Sequence, residues 1–305
     1  MTEKIKCHVC DRECRLAFTA RDRRYDSTPD QEFKVFECPS CGTGQTVPRP
    51  ENIADYYVDE YYEERISKRN NQGILDRFSD SYESVLGINE SIPTEKGRLL
   101  EIGCGPGHDL VDFSEQGWEV VGVEPNRSAV EMGRKKYDLT IHHGTLDEIA
   151  DRLEKSSFDV VLLNHVFEHI PNPRETIRYI NQIIAPTGLV IIEVPNFDSP
   201  LRRALGEFWG DYDVPRHVYH YTPQSLDLLM KDQGYRKVDS SYYKGALLGA
   251  AWTSNYTHTK LKLPNRAAYF FPFFIPIGIL LGLAKKTRFR HIYTSCDRST
   301  VNSKS

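Results

Sequence analysis

From Gly97 to Tyr243 the chain alternates short apolar runs with helix-length segments, and few folds accept that pattern. GRLLEIG, closed by glycine, reads as a buried strand, and His108 to Gln116 as a helix stopped by Gly117. WEVVGVE is a second strand, with a helix over Arg127 to Lys136 behind it. DLTIHHG is a third, weaker strand, followed by a helix over Leu146 to Lys155. FDVVLLN gives the fourth, and the helix from Arg174 to Ile184 lines up Ile177, Ile180, Ile183 and Ile184 on one face. Gly188 to Val194 is the fifth strand. Thr222 then reads as the N-cap of a helix over Pro223 to Gln233, and Tyr235 to Tyr243 is the sixth strand. Strands separated by helices of this length imply an α/β fold, a doubly wound and mostly parallel sheet.

The sharpest local signal is Leu99-Leu100-Glu101-Ile102-Gly103-Cys104-Gly105-Pro106-Gly107. Three alternate glycines follow a buried strand and open a helix, so the backbone can turn tightly and approach a ligand closely. Ligands of such sheets bind beyond the carboxyl ends of the strands. Taken alone, the spacing suits nucleotide cofactors in general or a plain tight turn. Its context narrows it. Glu101 precedes the first glycine, where a carboxylate can meet a cationic ligand group. Glu124 ends the second strand, 19 residues after Gly105, and can accept hydrogen bonds from both hydroxyls of a ribose. Asn164 ends the fourth strand near the same crevice.

The runs E-I-G-C-G-P-G, G-V-E-P-N and F-D-V-V-L-L-N-H-V-F-E-H-I strongly resemble class I methyltransferases that use S-adenosyl-L-methionine (SAM), over roughly residues 97–243. The resemblance implies a seven-stranded Rossmann-like sheet, with HIYTSCD at 291–297 as the last strand beside the sixth. It also implies that Gly103, Cys104, Gly105 and Gly107 pass beneath SAM, with Glu101 near its amino-acid end and Glu124 on its ribose. Thr145 and Leu146 would flank the adenine, and Asn164 and His165 would border the methionine portion. SAM binding in these enzymes needs no metal.

Methyl transfer from a sulfonium is an in-line displacement, so the protein must align donor and acceptor and, when needed, remove a proton. His165, Glu168 and His169 follow the fourth strand as NHVFEHIPNP; His169 is a catalytic candidate, with structural support or capping the favoured reading. A second segment, Asp213 to Pro223, lies where a loop can overhang the transfer site. It is similar to the P-R-H-x-x-x-[FY]-[ST] stretch of bacterial methyltransferases encoded beside glycan-assembly enzymes. His217 is the first candidate for base or acceptor-orienting group; a loop histidine bonded to backbone is the alternative, and His220 and Tyr219 follow it. Trp209, Asp211 and Tyr212 are expected to line the acceptor pocket. His142 and His143 read as the end of an ordinary edge-side strand.

Five of the seven cysteines lie in the first 41 residues. Cys7-x-x-Cys10 and Cys38-x-x-Cys41, 27 residues apart, can supply four thiolates in tetrahedral geometry, as in zinc ribbons. A closed set of this kind argues for structural rather than catalytic Zn2+, and a module over 1–48 has too little core to dispense with such a staple. Cys14 is a competitor of Cys10. Arg12, Arg15, Arg21, Arg23 and Arg24 read as a solvated charge run, with phosphate contact as the alternative.

With 305 residues, 27% of them charged, a net charge of −4 and no apolar stretch behind the N-terminal charges, a cytoplasmic globular protein is expected, and a nucleic-acid partner is not. The chain divides into the 1–48 module, a Tyr-rich linker with packing helices over 49–96, the 97–243 core, an apolar insertion over 244–290, and a last strand and tail over 291–305. Within the insertion, residues 267–284 run for 18 positions without a charge. Pro272 and Pro276 interrupt a helix there, and both flanks must return to one sheet. The preferred reading is a shallow hairpin in a membrane face, which would place the protein peripherally on the inner side; a core or dimer interface and a true span are the alternatives. Methyl transfer to a sugar-containing small molecule or lipid-linked glycan precursor is the leading function. An RNA methyltransferase that binds RNA through the ribbon and a non-catalytic SAM-binding scaffold are the alternatives.

Overall fold

Strands buried on both faces need apolar side chains at every position, and the central runs provide them. The computed structural model describes residues 4–22, 31–50, 53–56, 96–206, 209–243 and 288–296. Its main sheet comprises β4 (Arg98–Ile102), β5 (Glu119–Glu124), β6 (Ile141–His143), β7 (Phe158–Asn164), β8 (Ile184–Pro195), β10 (Tyr235–Tyr243) and β11 (Arg288–Ser295). Their order is β10-β11-β8-β7-β4-β5-β6, with β11 antiparallel to both neighbours and the rest parallel. Helices α1 (His108–Glu115), α2 (Arg127–Tyr137), α3 (Leu146–Ile149), α4 (Pro173–Ile183) and α6 (Pro223–Asp232) connect and cover the strands; a short α5 spans Pro200–Leu205. Adjacent strand residues point to opposite faces. Leu99, Val160 and Ile191 accordingly join Leu110 and Phe113 of α1 in one core, while Leu100, Val161 and Val190 join Ile177, Ile180 and Ile183 of α4 in the other. The expected seven-stranded doubly wound α/β sheet is therefore present, with β6 and its two histidines at the edge.

Strand order reverses around β4, whose neighbours are β5 and β7. The carboxyl ends of these three strands frame the crevice at that switch point.

A second sheet joins β1 (Arg15–Ala20), β2 (Phe33–Glu37) and β3 (Gly44–Val47) to β9 (Tyr219–His220), all antiparallel. The cysteine-bearing segment thus shares a sheet with the loop that carries the 217–220 histidines. Gly44 opposes His220 and Gln45 opposes Tyr219. Thr222 caps α6 as expected, in a reciprocal box with Ser225.

Two elements differ from the sequence reading. The helix expected over Leu146 to Lys155 ends at Ile149 and tightens into a 3-10 turn through Arg152. Ser156 and Ser157 instead donate to the Gln182 and Ile183 carbonyls, which draws the chain into β7. The last strand begins at Arg288 rather than at 291, because Glu193 on β8 takes the Arg290 guanidinium at 2.6 and 3.0 Å and lets a charge sit in the middle of the sheet. Residues 57–95, the apolar stretch 267–284, Arg23, Arg24 and the tail beyond 296 lie outside the described residues. Among the described residues no helix is long and apolar enough to cross a membrane.

Candidate active site

At the head of β4, Gly103, Gly105 and Gly107 all take positive φ (69°, 56° and 81°). A Cβ on Gly103 would lie 2.5 Å from Val166 Cγ2, so this turn is packed directly on the segment that leaves β7. A Cβ on Gly105 would meet nothing within 4 Å. Only the backbone conformation requires glycine there, and its outer face opens on the crevice. The Glu124 carboxylate, buried at the end of β5, takes the Gly105 amide on Oε2 and the Asn126 amide on Oε1, both at 2.8 Å. Asn126 in turn caps α2 by accepting from the Ala129 amide. One side chain thereby fixes the glycine turn relative to the next helix, and two such bonds do not exhaust a carboxylate, which can accept about four.

The other expected cofactor residues lie at or just after the carboxyl ends of β4, β6 and β7. Glu101 is buried near the end of β4. Thr145 opens α3 in a capping box with Glu148, and Leu146 turns into the core. Asn164 donates to Asp109 Oδ2 at 3.0 Å, and His165 follows it with a left-handed φ of 53°. Burial and the Glu101 charge push the Cys104 thiol well up, so it stays protonated and contributes packing and backbone geometry only. Buried carboxylates at two strand ends, with an open backbone turn between them, suit a ligand with a diol and a cationic end, and SAM has both.

Opposite this turn lies a cluster of titratable groups. Glu168 and His169 sit in the 3-10 turn after β7, and His217 comes from the loop before β9; the Val218 amide donates to the Glu168 carbonyl at 2.9 Å and ties the two segments together. The His217 Nδ1 donates to the Asp211 carbonyl at 2.7 Å, and Nε2 lies 3.9 Å from both Glu168 Oε1 and Asp213 Oδ2. His169 donates from Nδ1 to the Arg216 carbonyl at 2.9 Å, and its ring meets that of His217 edge-on at 4.6 Å. Burial holds His217 down at about 4, and burial with the neighbouring His217 does the same to His169, so both rings are neutral at pH 7. For His165, burial and Arg288 oppose protonation, yet the Glu168 and Glu193 carboxylates prevail and raise it.

His220 is placed differently. It sits in the shared sheet with Nε2 3.1 Å from Thr46 Oγ1 and its ring stacked on Phe197, while Thr46 Oγ1 also bonds the His217 carbonyl at 2.7 Å. Burial drives its imidazole well below the ordinary range. The expectation for the aromatic wall needs correction. Trp209 and Tyr212 are packed with Phe33, Val35, Phe197 and Leu201 in a third core cluster, because this side of the loop must cover the β1–β3 module. Their neighbour Asp211 is present at the cluster through its carbonyl.

Sequence reading did not find the group that anchors this loop. Arg216, fully buried, binds Asp22 of the N-terminal module through 2.8 and 2.9 Å bonds and Asp213 through 2.7 and 3.1 Å bonds. Nothing local marks Asp22, 194 positions away, as its partner.

The four cysteines converge as their spacing predicts. Cys7, Cys10, Cys38 and Cys41 form one group, with all four sulfurs within 4.8 Å of one another and the Cys7–Cys41, Cys10–Cys38 and Cys10–Cys41 pairs at 3.5 to 3.7 Å. A tetrahedral Zn2+ site with ~2.3 Å bonds places its sulfurs about 3.8 Å apart, so the tetrad fits such an ion. Cys14 stays outside it, its thiol pushed up to about 12 by burial.

A seven-stranded sheet with an antiparallel final strand, a glycine turn at its switch point and a strand-end carboxylate beside that turn define a class I, Rossmann-like methyltransferase. The chain belongs to the methyltransferase-domain family, whose model matches residues 62–240, more than half of its length. It is similar to a ubiquinone biosynthesis O-methyltransferase of Azorhizobium caulinodans, 30% identical over 155 residues that cover 47% of this chain and 60% of the relative. The C-methyltransferase NovU of Streptomyces niveus is 28% identical over 48% of this chain and 34% of its own length. The matches thus span roughly half, or less, of several curated relatives. Among solved structures, phosphoethanolamine N-methyltransferase 2 of Haemonchus contortus, in complex with SAM, shares the fold with a TM-score of 0.55 at 16% identity, over 84% of this chain and 63% of that one.

Proposed function

We propose that this chain transfers a methyl group from SAM to a sugar-containing small molecule or lipid-linked glycan precursor. The observation that carries the donor half is Glu124, buried at a strand end and bonded to the open Gly105 turn. Bound in that crevice, SAM supplies a sulfonium methyl group. In this reading the chain's own residues bind and orient. The Gly103–Gly107 backbone lies under the cofactor, Glu124 accepts from the ribose hydroxyls, and Glu101 faces the cationic amino-acid end. Thr145 and the backbone of Leu146 flank the adenine, while Asn164 and His165 border the methionine portion.

On the acceptor side, His217 is the orienting group, held by the Asp211 carbonyl and neutral at pH 7. His169 supports the loop through Arg216, and His220 braces it against Thr46. The sugar reading rests on the Pro215–Thr222 segment. The name of the ubiquinone biosynthesis O-methyltransferase relative favours a small molecule over RNA. Four convergent thiols support structural zinc in the N-terminal module.

The test incubates the full chain with methyl-labelled SAM and a panel of nucleotide sugars, lipid-linked sugars, quinol precursors and ribosomal RNA. Label in a sugar acceptor is expected. Label confined to quinols would replace the acceptor class, label in RNA would establish the RNA reading, and SAM uptake with no labelled product would establish a scaffold. Sedimentation with liposomes, compared before and after deletion of 266–286, tests the proposed contact of 267–284 with a membrane face.

A further inference from the structure

We propose that Glu168, His169 and His217 form a second metal centre, which holds one divalent first-row cation with positions left open for an oxygen of the methyl acceptor. The metal site stands on its own geometry; the acceptor's place on it rests on the proposed reading of the crevice.

Among the described residues, two groups bring three or more ligand atoms together. One is the cysteine tetrad, and the other is this trio, whose ligand atoms all lie within 4.8 Å of one another. The trio is built from two segments that the backbone locks in place, through the Val218 amide on the Glu168 carbonyl. Both imidazoles are oriented the way metal-binding histidines are. A carbonyl can only accept, so His217 and His169 each carry their proton on Nδ1, bonded to the Asp211 and Arg216 carbonyls. Each neutral ring then bears its lone pair on Nε2, and proteins fix metal-ligating imidazoles by this kind of outer bond.

Glu168 supplies the second, independent observation. It is 1% exposed, and neither carboxylate oxygen accepts a hydrogen bond from any described residue. Its nearest ring nitrogens are His165 Nδ1 at 3.6 Å and His217 Nε2 at 3.9 Å, beyond hydrogen-bonding distance. A buried carboxylate in that condition is costly unless a cation stands beside it. His165 stands between Glu168 and Glu193, which Arg290 also holds, and at 3.6 Å it leaves both Glu168 oxygens without a hydrogen bond. Asp213 Oδ2 lies 3.9 Å from His217 Nε2, with the other oxygen of the carboxylate held by Arg216. Two imidazoles and one carboxylate are the ligand set of metal sites that keep coordination positions open for substrate. The location agrees. Val166, two residues before Glu168, packs against the Gly103 turn, so the trio borders the crevice.

Mn2+ is the probe, because the thiolate tetrad prefers softer ions. The full chain, with its cysteine-bound metal retained, is treated with a weak chelator, desalted and titrated with MnCl2 under electron paramagnetic resonance. One Mn2+ per chain is expected, with electron spin-echo modulation from two imidazole nitrogens. Glu168→Gln and His217→Ala should each weaken uptake by about tenfold or more while calorimetric SAM binding is retained. No Mn2+ uptake by the wild type, or uptake by Glu168→Gln equal to the wild type, overturns the proposal. Should the variants lose SAM binding through misfolding, the wild-type spectrum decides: two nitrogens support the centre, and none refutes it. SAM binding without cation uptake removes only the metal, whereas cation uptake without SAM binding removes only the reading of the crevice.

Discussion

Replacing Asp22 by alanine probes the joint between the cysteine module and the histidine loop. The Arg216 guanidinium is entirely buried and shared by Asp22 and Asp213, with Asp22 contributing bonds of 2.8 and 2.9 Å. Removing one partner of a buried pair costs ~3–5 kcal/mol, since the remaining charge is left under-compensated. Asp213 stays in place, along with the Tyr56 carbonyl at 3.1 Å from Arg216 Nη1, so the lower end, about 3 kcal/mol, applies. At roughly 2–4 °C per kcal/mol for a domain of this size, Tm should fall by about 6–12 °C in a scanning-calorimetry or circular-dichroism melt. His217 adjoins Arg216, so KM for the acceptor should rise while SAM affinity is unchanged. The triple variant Asp22→Leu, Asp213→Asn and Arg216→Met should recover part of the loss, because all three charges of the cluster are then removed together. A single variant that melts within about 1 °C of the wild type would refute the reasoning, since removing the partner of a buried charge cannot be that mild.

Three further outcomes are expected. Gly105→Ala places a Cβ at a φ of 56°, at a strain cost of about 1–2 kcal/mol, and adds a methyl group to the open face of the crevice; calorimetry should show SAM affinity reduced by about tenfold or more. Burial pushes the Asp227 carboxyl up, but His291, Lys237 and Tyr293 outweigh it and hold the group at about 2. The stability this contributes is complete above the ordinary carboxylate value and is lost as pH falls from about 4 towards 2, so Asp227→Asn should flatten urea midpoints measured across that range. Replacing Cys38 and Cys41 by serine, which removes half of the thiol tetrad, should sharply reduce acceptor turnover but spare SAM binding, because β3 pairs with β9 while the glycine turn lies in the other sheet; a parallel loss of both would contradict this division.

The parallel sheet was legible because Val, Ile and Leu fill consecutive positions of β4, β5, β7 and β8, and because each helix is punctuated by a capping residue or a glycine. The glycine turn and Glu124 were legible for a related reason: their roles follow from the backbone and from the end of a strand. What lay hidden was contact between distant segments. Asp22 with Arg216, Thr46 with His220 and Gln45 opposite Tyr219 join residues more than 170 positions apart. No local periodicity encodes such pairs. Trp209 and Tyr212 read as an acceptor wall because aromatic residues in a loop suit either a ligand or a core, and only the position of the N-terminal module decides between them. Arg290 obscured the start of β11 because a charge in a central strand is acceptable only with a partner, and Glu193 is supplied by another strand.

Titration calorimetry of S-adenosylhomocysteine into the full chain, beside Glu124→Ala, tests most directly whether the β4–β5 crevice is the cofactor site. One molecule bound per chain, with affinity falling by about tenfold or more in a variant that still melts cooperatively, is the expected result. Equal heats from both proteins would show that the nucleoside sits somewhere other than beside Glu124.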